Sequence, residues 1–262
     1  VNAPRAEGAS AQAGWLAPLA LAALAGALPA LLAPQRCTPI ALIAYAACVA
    51  LPLGVPLGAR AAQRAAQRAA REAEQRATRG AEARPAGSAA RVALARAGEL
   101  VLVCALAPCA WSLAIAWCEA RHGELPSAGF AACALYGLHA AGAALGRALG
   151  AQRARRAAAL ALLAGCALAL APSRAGQGEP LLARRAPRVA ALVLDLSPAT
   201  LALECAGLDW MRHPATYHPA GTDWYSDRRA PWRAPLAGSA ALVLGCLAAA
   251  LSVRARTREE RP

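Results

Sequence analysis

Six apolar, uncharged runs of roughly bilayer length punctuate this chain, and they constrain its fold more than any other feature. A helix that crosses hydrocarbon needs about 20 predominantly apolar residues. Residues 15–34, 39–58, 100–118, 128–146 and 235–252 meet that requirement, and 157–172 forms a shorter sixth run. The competing arrangement is a soluble bundle of fully buried, Ala-rich helices. It does not explain why the runs approach bilayer length while the charges gather between them. The first run exceeds the apolar part of a signal peptide and follows only Arg5 and Glu7, so it reads as a retained helix. The expected fold class is all-α: a polytopic bundle of six transmembrane helices, with a folded external loop before the last.

Charge sets the expected topology. All 28 basic residues are Arg, a bias that reads as a GC-rich, bacterial genome, and the net charge is +13. In residues 59–85, Arg60, Arg64, Arg68 and Arg71 follow helical spacing in an Ala/Gln background. That pattern predicts a helix extending the second span into solvent and ending near Gly80 and Pro85. Arg-rich loops stay cytoplasmic. The Arg groups at 147–156 and 254–261 then fall on the same side, as an even number of spans requires. Residues 173–190, with Arg174, Arg184, Arg185 and Arg188, resist this scheme, although long loops escape the charge rule.

The expected order is two spans in 1–58, a cytoplasmic Arg/Ala-rich helix in 59–91 and spans three to five in 92–172. An external loop follows in 173–234, then the last span and a basic cytoplasmic tail in 235–262. The chain reads as a multi-pass protein of the inner (plasma) membrane, with the lipid bilayer as its first partner. No nucleic-acid partner is expected, because the Arg alternate with spans and form no basic recognition fold.

Residues 188–206 are ambiguous. Read as a seventh span they place Asp195, Pro198 and Glu204 in hydrocarbon, which is expensive. Read as an interfacial or re-entrant element they start a helix at Ser197, an N-cap hydroxyl followed by Pro198. Such a helix, flanked by Asp195 and Glu204, either caps a pathway or lies flat on the outer leaflet.

The most unusual stretch is 207–234, with three of the six Trp, two of the four His and the only Met, Met211. Asp209, His213 and His218 offer metal-ligand or acid–base chemistry, but Pro214 breaks any helix that would align the two His, and no standard spacing or nucleophile motif accompanies them. No metal, cofactor or catalytic residue is therefore assigned. Trp210, Tyr217, Trp224 and Asp223 fit a loop moored at the membrane–water boundary as a cap. Nine Cys form no CxxC pattern, and most behave as small hydrophobes within spans. Cys118 and Cys205 lie near the outer face, either as a disulfide or as two free thiols. Gly142, Gly146 and Gly150, spaced by four, allow close helix approach within the chain or in a homodimer. Gly54 and Gly58 repeat the spacing, and His139 sits inside the fourth span.

Leu196-Ser197-Pro198-Ala199-Thr200, an apolar continuation and Glu204 resemble the short external helix before the last span of ABC-transporter permeases of the drug and polysaccharide exporter type. The resemblance implies six spans, cytoplasmic termini and a cytoplasmic helix between spans two and three that couples to an ATPase. Arg60, Arg64, Arg68 and Arg71 occupy that position. The long, basic final external loop departs from the pattern, and without a Walker-type motif the ATPase is a separate subunit. The resemblance makes the chain the membrane component of an exporter. Two other readings stay open: a membrane assembly or anchoring protein whose external loop binds a partner, and a membrane enzyme with its site in that loop.

Overall fold

The computed structural model describes residues 39–79, 108–117, 119–120, 127–170, 187–208 and 232–259. Every regular element among these residues is an α-helix. In chain order they are α1 (Pro39–Arg79), α2 (Pro108–Trp117), α3 (Ala128–Leu170), α4 (Pro187–Asp195), α5 (Pro198–Cys205) and α6 (Ala234–Glu259).

The 41 residues of α1 make a rod of about 61 Å, twice the hydrocarbon thickness of a bilayer. Its first half is apolar and buried, and it tolerates Pro52 and Pro56 without ending. From Gln63 onward most of its described side chains are exposed. The expected continuous helix is present: the apolar run continues unbroken into an Arg/Gln/Ala stem, helical as far as it is described, to Arg79.

Glycine positions fix the helix directions. A Cβ on Gly142 would strike the Leu51 carbonyl, and one on Gly146 the Val55 carbonyl, so α1 and the first half of α3 run parallel. At Gly150 (φ 72, ψ 170) the helix breaks. Beyond it Ala154 packs with Val55 and Ala59, while Gly165 lies against Cys48, so residues 151–170 run back antiparallel to α1. Helix α6 pairs Gly238 with Phe130 and Gly245 with Gly137, which makes it parallel to the first half of α3.

Three helices among the described residues, and not six, combine the length and hydropathy of a membrane span: Ala41–Glu72, Ala128–Gly150 and Ala234–Val253. Of the other expected spans, 15–34 lies outside the described residues, and so do 100–107 and 118 of the third, whose described part, Pro108–Trp117, is helical. The fifth is helical, but Arg153, Arg155 and Arg156 precede it, leaving 157–170 as an apolar stretch of about 21 Å. That is short of the hydrocarbon thickness. Gly150 also corrects the sequence reading. Gly142 and Gly146 pack on α1 inside the chain, whereas a Cβ at Gly150 would meet open space; Gly150 serves as the turn, a positive φ that L side chains disfavour.

The core joins α1, α2, α3 and α5 through Leu42, Ile43, Trp111, Ile115, Leu135 and Leu203. Residues 188–206 do not form one span. They break at Leu196-Ser197 into two helices of 9 and 8 residues. Six of the eight residues of α5 are buried, so it is packed into protein and does not lie flat on a surface. It sits where α1, α3 and α6 begin, and this end is called the capped end below; the stem leaves from the other.

Candidate functional site at the capped end

Helix α5 is built by local rules at both ends. Pro198 takes the first helical position, where its missing N–H costs nothing. At the other end the N–H of Leu208 donates to the Leu203 carbonyl (3.1 Å) and that of Gly207 to the Glu204 carbonyl (3.0 Å). With Gly207 at φ 78 this is a Schellman ending, and Leu208 folds back onto the core. The Ala206 carbonyl then accepts from the Ser127 N–H (3.1 Å), tying α5 to the start of α3.

Glu204 is the central side chain of this end. It is buried, and its Oε2 accepts the backbone N–H of Trp232 at 2.7 Å, two residues before α6 begins. A carboxylate there satisfies a donor at the helix entrance and suits the positive end of the helix dipole. The Trp232 indole Nε1–H reaches the backbone carbonyl of Asp195, the last residue of α4, at 3.3 Å. One residue thus clamps α6 to both short helices. The island between Leu208 and Trp232 leaves and returns at the same place, because both flanks are fixed to α5.

Of the expected residues, Asp195, Ser197 and Glu204 come together here, and Asp195 and Glu204 are both engaged. Ser197 holds the N-cap position but makes no side-chain cap; its Oγ is buried without a partner among the described residues. Asp209, Trp210, His213, Tyr217, His218, Asp223 and Trp224 lie outside the described residues. Cys205 is a buried free thiol; Cys118 lies outside the described residues. Burial, with Glu204 and Cys133 adding, pushes the Cys205 thiol from 9.0 up to about 12. Among the described residues no three His, Cys, Asp or Glu are grouped as metal ligands.

Deeper in the bundle, His139 is fully buried and its Nδ1 lies 2.9 Å from the Ala50 carbonyl. A carbonyl only accepts, so Nδ1 carries the proton. Trp111 meets the imidazole edge-on, with centroids 5.6 Å apart. His139 is a hydrogen-bonded helix contact. At the stem end, Arg60, Arg68 and Arg71 are exposed and Arg64 half-buried, with Arg64 and Arg68 engaged within the chain.

Sequence reasoning groups Trp232 with the boundary aromatics that moor the loop and misses its clamp on Glu204 and Asp195. Its signal is visible afterwards: a Trp two residues before a Pro-containing helix start, in Trp232-Arg233-Ala234-Pro235. Its partner Glu204 lies 28 residues away, beyond the reach of local pattern.

No protein-family model matches the chain, and no curated protein or solved structure does.

Proposed function

We propose that the chain is a multi-pass inner-membrane protein and the membrane subunit of an ABC-type exporter, working with a separate ATPase. The observation that supports a membrane setting is an inversion on α6. Its small residues, Ala237, Gly238, Ala241, Gly245 and Ala249, are turned inward or half-buried, while Leu236, Val243, Leu244, Leu247 and Leu251 are exposed. Small residues at helix contacts and large apolar ones outward is the pattern of helices packed in lipid.

The exporter reading draws on an unbroken Arg-bearing stem after one span, and on a packed Ser197-Pro198 helix before the last. In it the stem, through Arg60, Arg64, Arg68 and Arg71, docks the ATPase in the cytoplasm. The capped end, with Asp195, Ser197 and Glu204, closes the outer mouth of the pathway. Reversing Arg64, Arg68 and Arg71 to Glu abolishes co-purification of an ATPase subunit while leaving insertion intact. If insertion fails instead, the arginines only orient the chain, and the exporter loses its main support. Reporter fusions after Arg84, Arg156 and Arg256 read cytoplasm and one at Gly221 reads outside; a cytoplasmic Gly221 breaks the six-span topology. A second reading, an anchoring protein whose 209–231 loop holds a partner, draws on the rooting of both loop ends at α5. In that case the stem reversal has no effect on function.

A further inference from the structure

We propose that the stem-end face, where α1 leaves the bundle and α3 turns back, binds the headgroup of an anionic phospholipid. Arg60, Arg153, Arg155 and Arg156 are all exposed there. The buried contact of Ala154 with Val55 and Ala59 sets their level, because Arg60 adjoins Ala59 and Arg153 and Arg155 flank Ala154. No carboxylate competes for them on these elements. Helix α3 contains no Asp or Glu, α6 contains none before Glu259, and the first on α1 is Glu72, about 18 Å along the helix from Arg60. Four guanidinium groups thus need counter-ions that their own helices do not supply.

The surroundings select a lipid over a free anion. The arginines stand at the border of the apolar band, where the uncharged run of α1 ends and that of the return helix begins at Ala157. Leu160, Leu162 and Leu163, directly beyond Arg156, are exposed. A ligand that satisfies both surfaces carries a phosphate at one end and an acyl chain at the other. Guanidinium groups pair with phosphate through two parallel hydrogen bonds, and basic sites between spanning helices at the cytoplasmic boundary hold anionic headgroups. Arg147, before the Gly150 break, is buried and already engaged, so it is not part of this face. The inference rests on the bilayer setting proposed above; where it holds, Arg60 serves the headgroup and docking of an ATPase falls to Arg64, Arg68 and Arg71 alone.

The test uses the full-length protein in vesicles of phosphatidylcholine with and without phosphatidylglycerol, followed by native mass spectrometry of the extracted protein. The wild type retains phosphatidylglycerol in preference to phosphatidylcholine. Combined Arg153→Gln, Arg155→Gln and Arg156→Gln weakens that retention about five-fold per arginine. Arg68→Gln with Arg71→Gln, on the stem beyond the headgroup level, leaves it unchanged. Equal retention by the wild type and the triple variant overturns the site, as does loss in the stem variant. Should the triple variant not fold, the wild type decides alone: its Tm rises with phosphatidylglycerol and not with phosphatidylcholine or inorganic phosphate. An equal rise with inorganic phosphate makes this an ion site and overturns the lipid assignment. A protein that does not float with vesicles refutes the membrane setting. One that floats but shows no lipid preference refutes only the site.

Discussion

Helices α1 and α6 both pack on α3 through glycines, yet they solve opposite problems. In α1, 67% of the apolar window is buried; in α6 only 22% is. Helix α1 is surrounded by α2, both halves of α3 and α5, so even its large side chains Leu42, Ile43 and Leu57 are buried, with Gly54 and Gly58 under the α3 backbone. Helix α6 touches the bundle on one stripe and turns its leucines out. Similar hydropathy therefore says where a helix can sit, while the distribution of side-chain size says how many neighbours it has.

The sharpest way to break this comparison is to add the same bulk to each. Gly146→Val places branched atoms on the Val55 carbonyl, and neither backbone can move far inside the three-sided packing around α1. Overpacking costs about 1–3 kcal/mol and more where the backbone cannot give, so this variant loses most of its folded population. Ala240→Leu, on the exposed face of α6, changes stability by no more than about 0.5 kcal/mol. Thermal unfolding in detergent compares the two. Equal effects would mean that α6 is as enclosed as α1.

The second prediction stays in the α1–α3 seam. His139→Ala removes the bond to the Ala50 carbonyl, the edge contact with Trp111 and the volume of a fully buried ring. Intramembrane hydrogen bonds contribute on average about 0.6 kcal/mol and at most roughly 1.7. With the aromatic contact and the cavity, the expected loss is about 2–3 kcal/mol. A loss below 0.5 kcal/mol would show that glycine packing alone holds the seam.

Much of this seam was legible in the sequence. The four-residue spacing of Gly54 and Gly58, and of Gly142 and Gly146, announced close approach, and the Arg stripe announced the stem. Spacing alone could not separate Gly146 from Gly150, since a packing glycine and a turning glycine look identical until a neighbour or a φ is known. Ser197-Pro198 correctly marked the start of α5, but not that the hydroxyl makes no cap, because that depends on a rotamer set by packing. The Glu204–Trp232 clamp was invisible because tertiary folding brings its partners together. The richest chemistry in the sequence, Asp209 to Asp223, falls outside the described residues, so only its two anchored ends are known.

The third prediction moves to the capped end. Glu204→Ala removes the acceptor for the Trp232 N–H at the entrance of α6, at a cost of about 1–2 kcal/mol, the range for losing a helix cap. Glu204→Gln keeps an acceptor and costs less. Because the clamp closes the base of the 209–231 loop, limited trypsin digestion at Arg212, Arg228 or Arg229 speeds up in Glu204→Ala more than global unfolding explains. Unchanged digestion would place the loop's anchorage elsewhere.

The smallest expected effect is the chemistry of Cys205, the last residue of α5. Cys205 is buried beside Glu204, and the resulting rise of its thiol to about 12 means that the fold prefers the protonated form. A group whose folded value lies above its unfolded 9.0 contributes stability that is complete below pH 9 and is lost as pH rises toward 12. Nothing should change across the physiological range. A chain in which Cys205 is the sole cysteine therefore resists a soluble maleimide at pH 8 while folded and reacts fully once denatured, because the thiolate is the reactive species. Its labelling rate in the folded protein climbs only well above pH 9. Glu204→Gln removes one of the causes of the rise and brings that onset to lower pH. Rapid labelling of the folded chain at pH 8 would show that α5 opens to solvent, and that the capped end is a moving part and not a fixed closure.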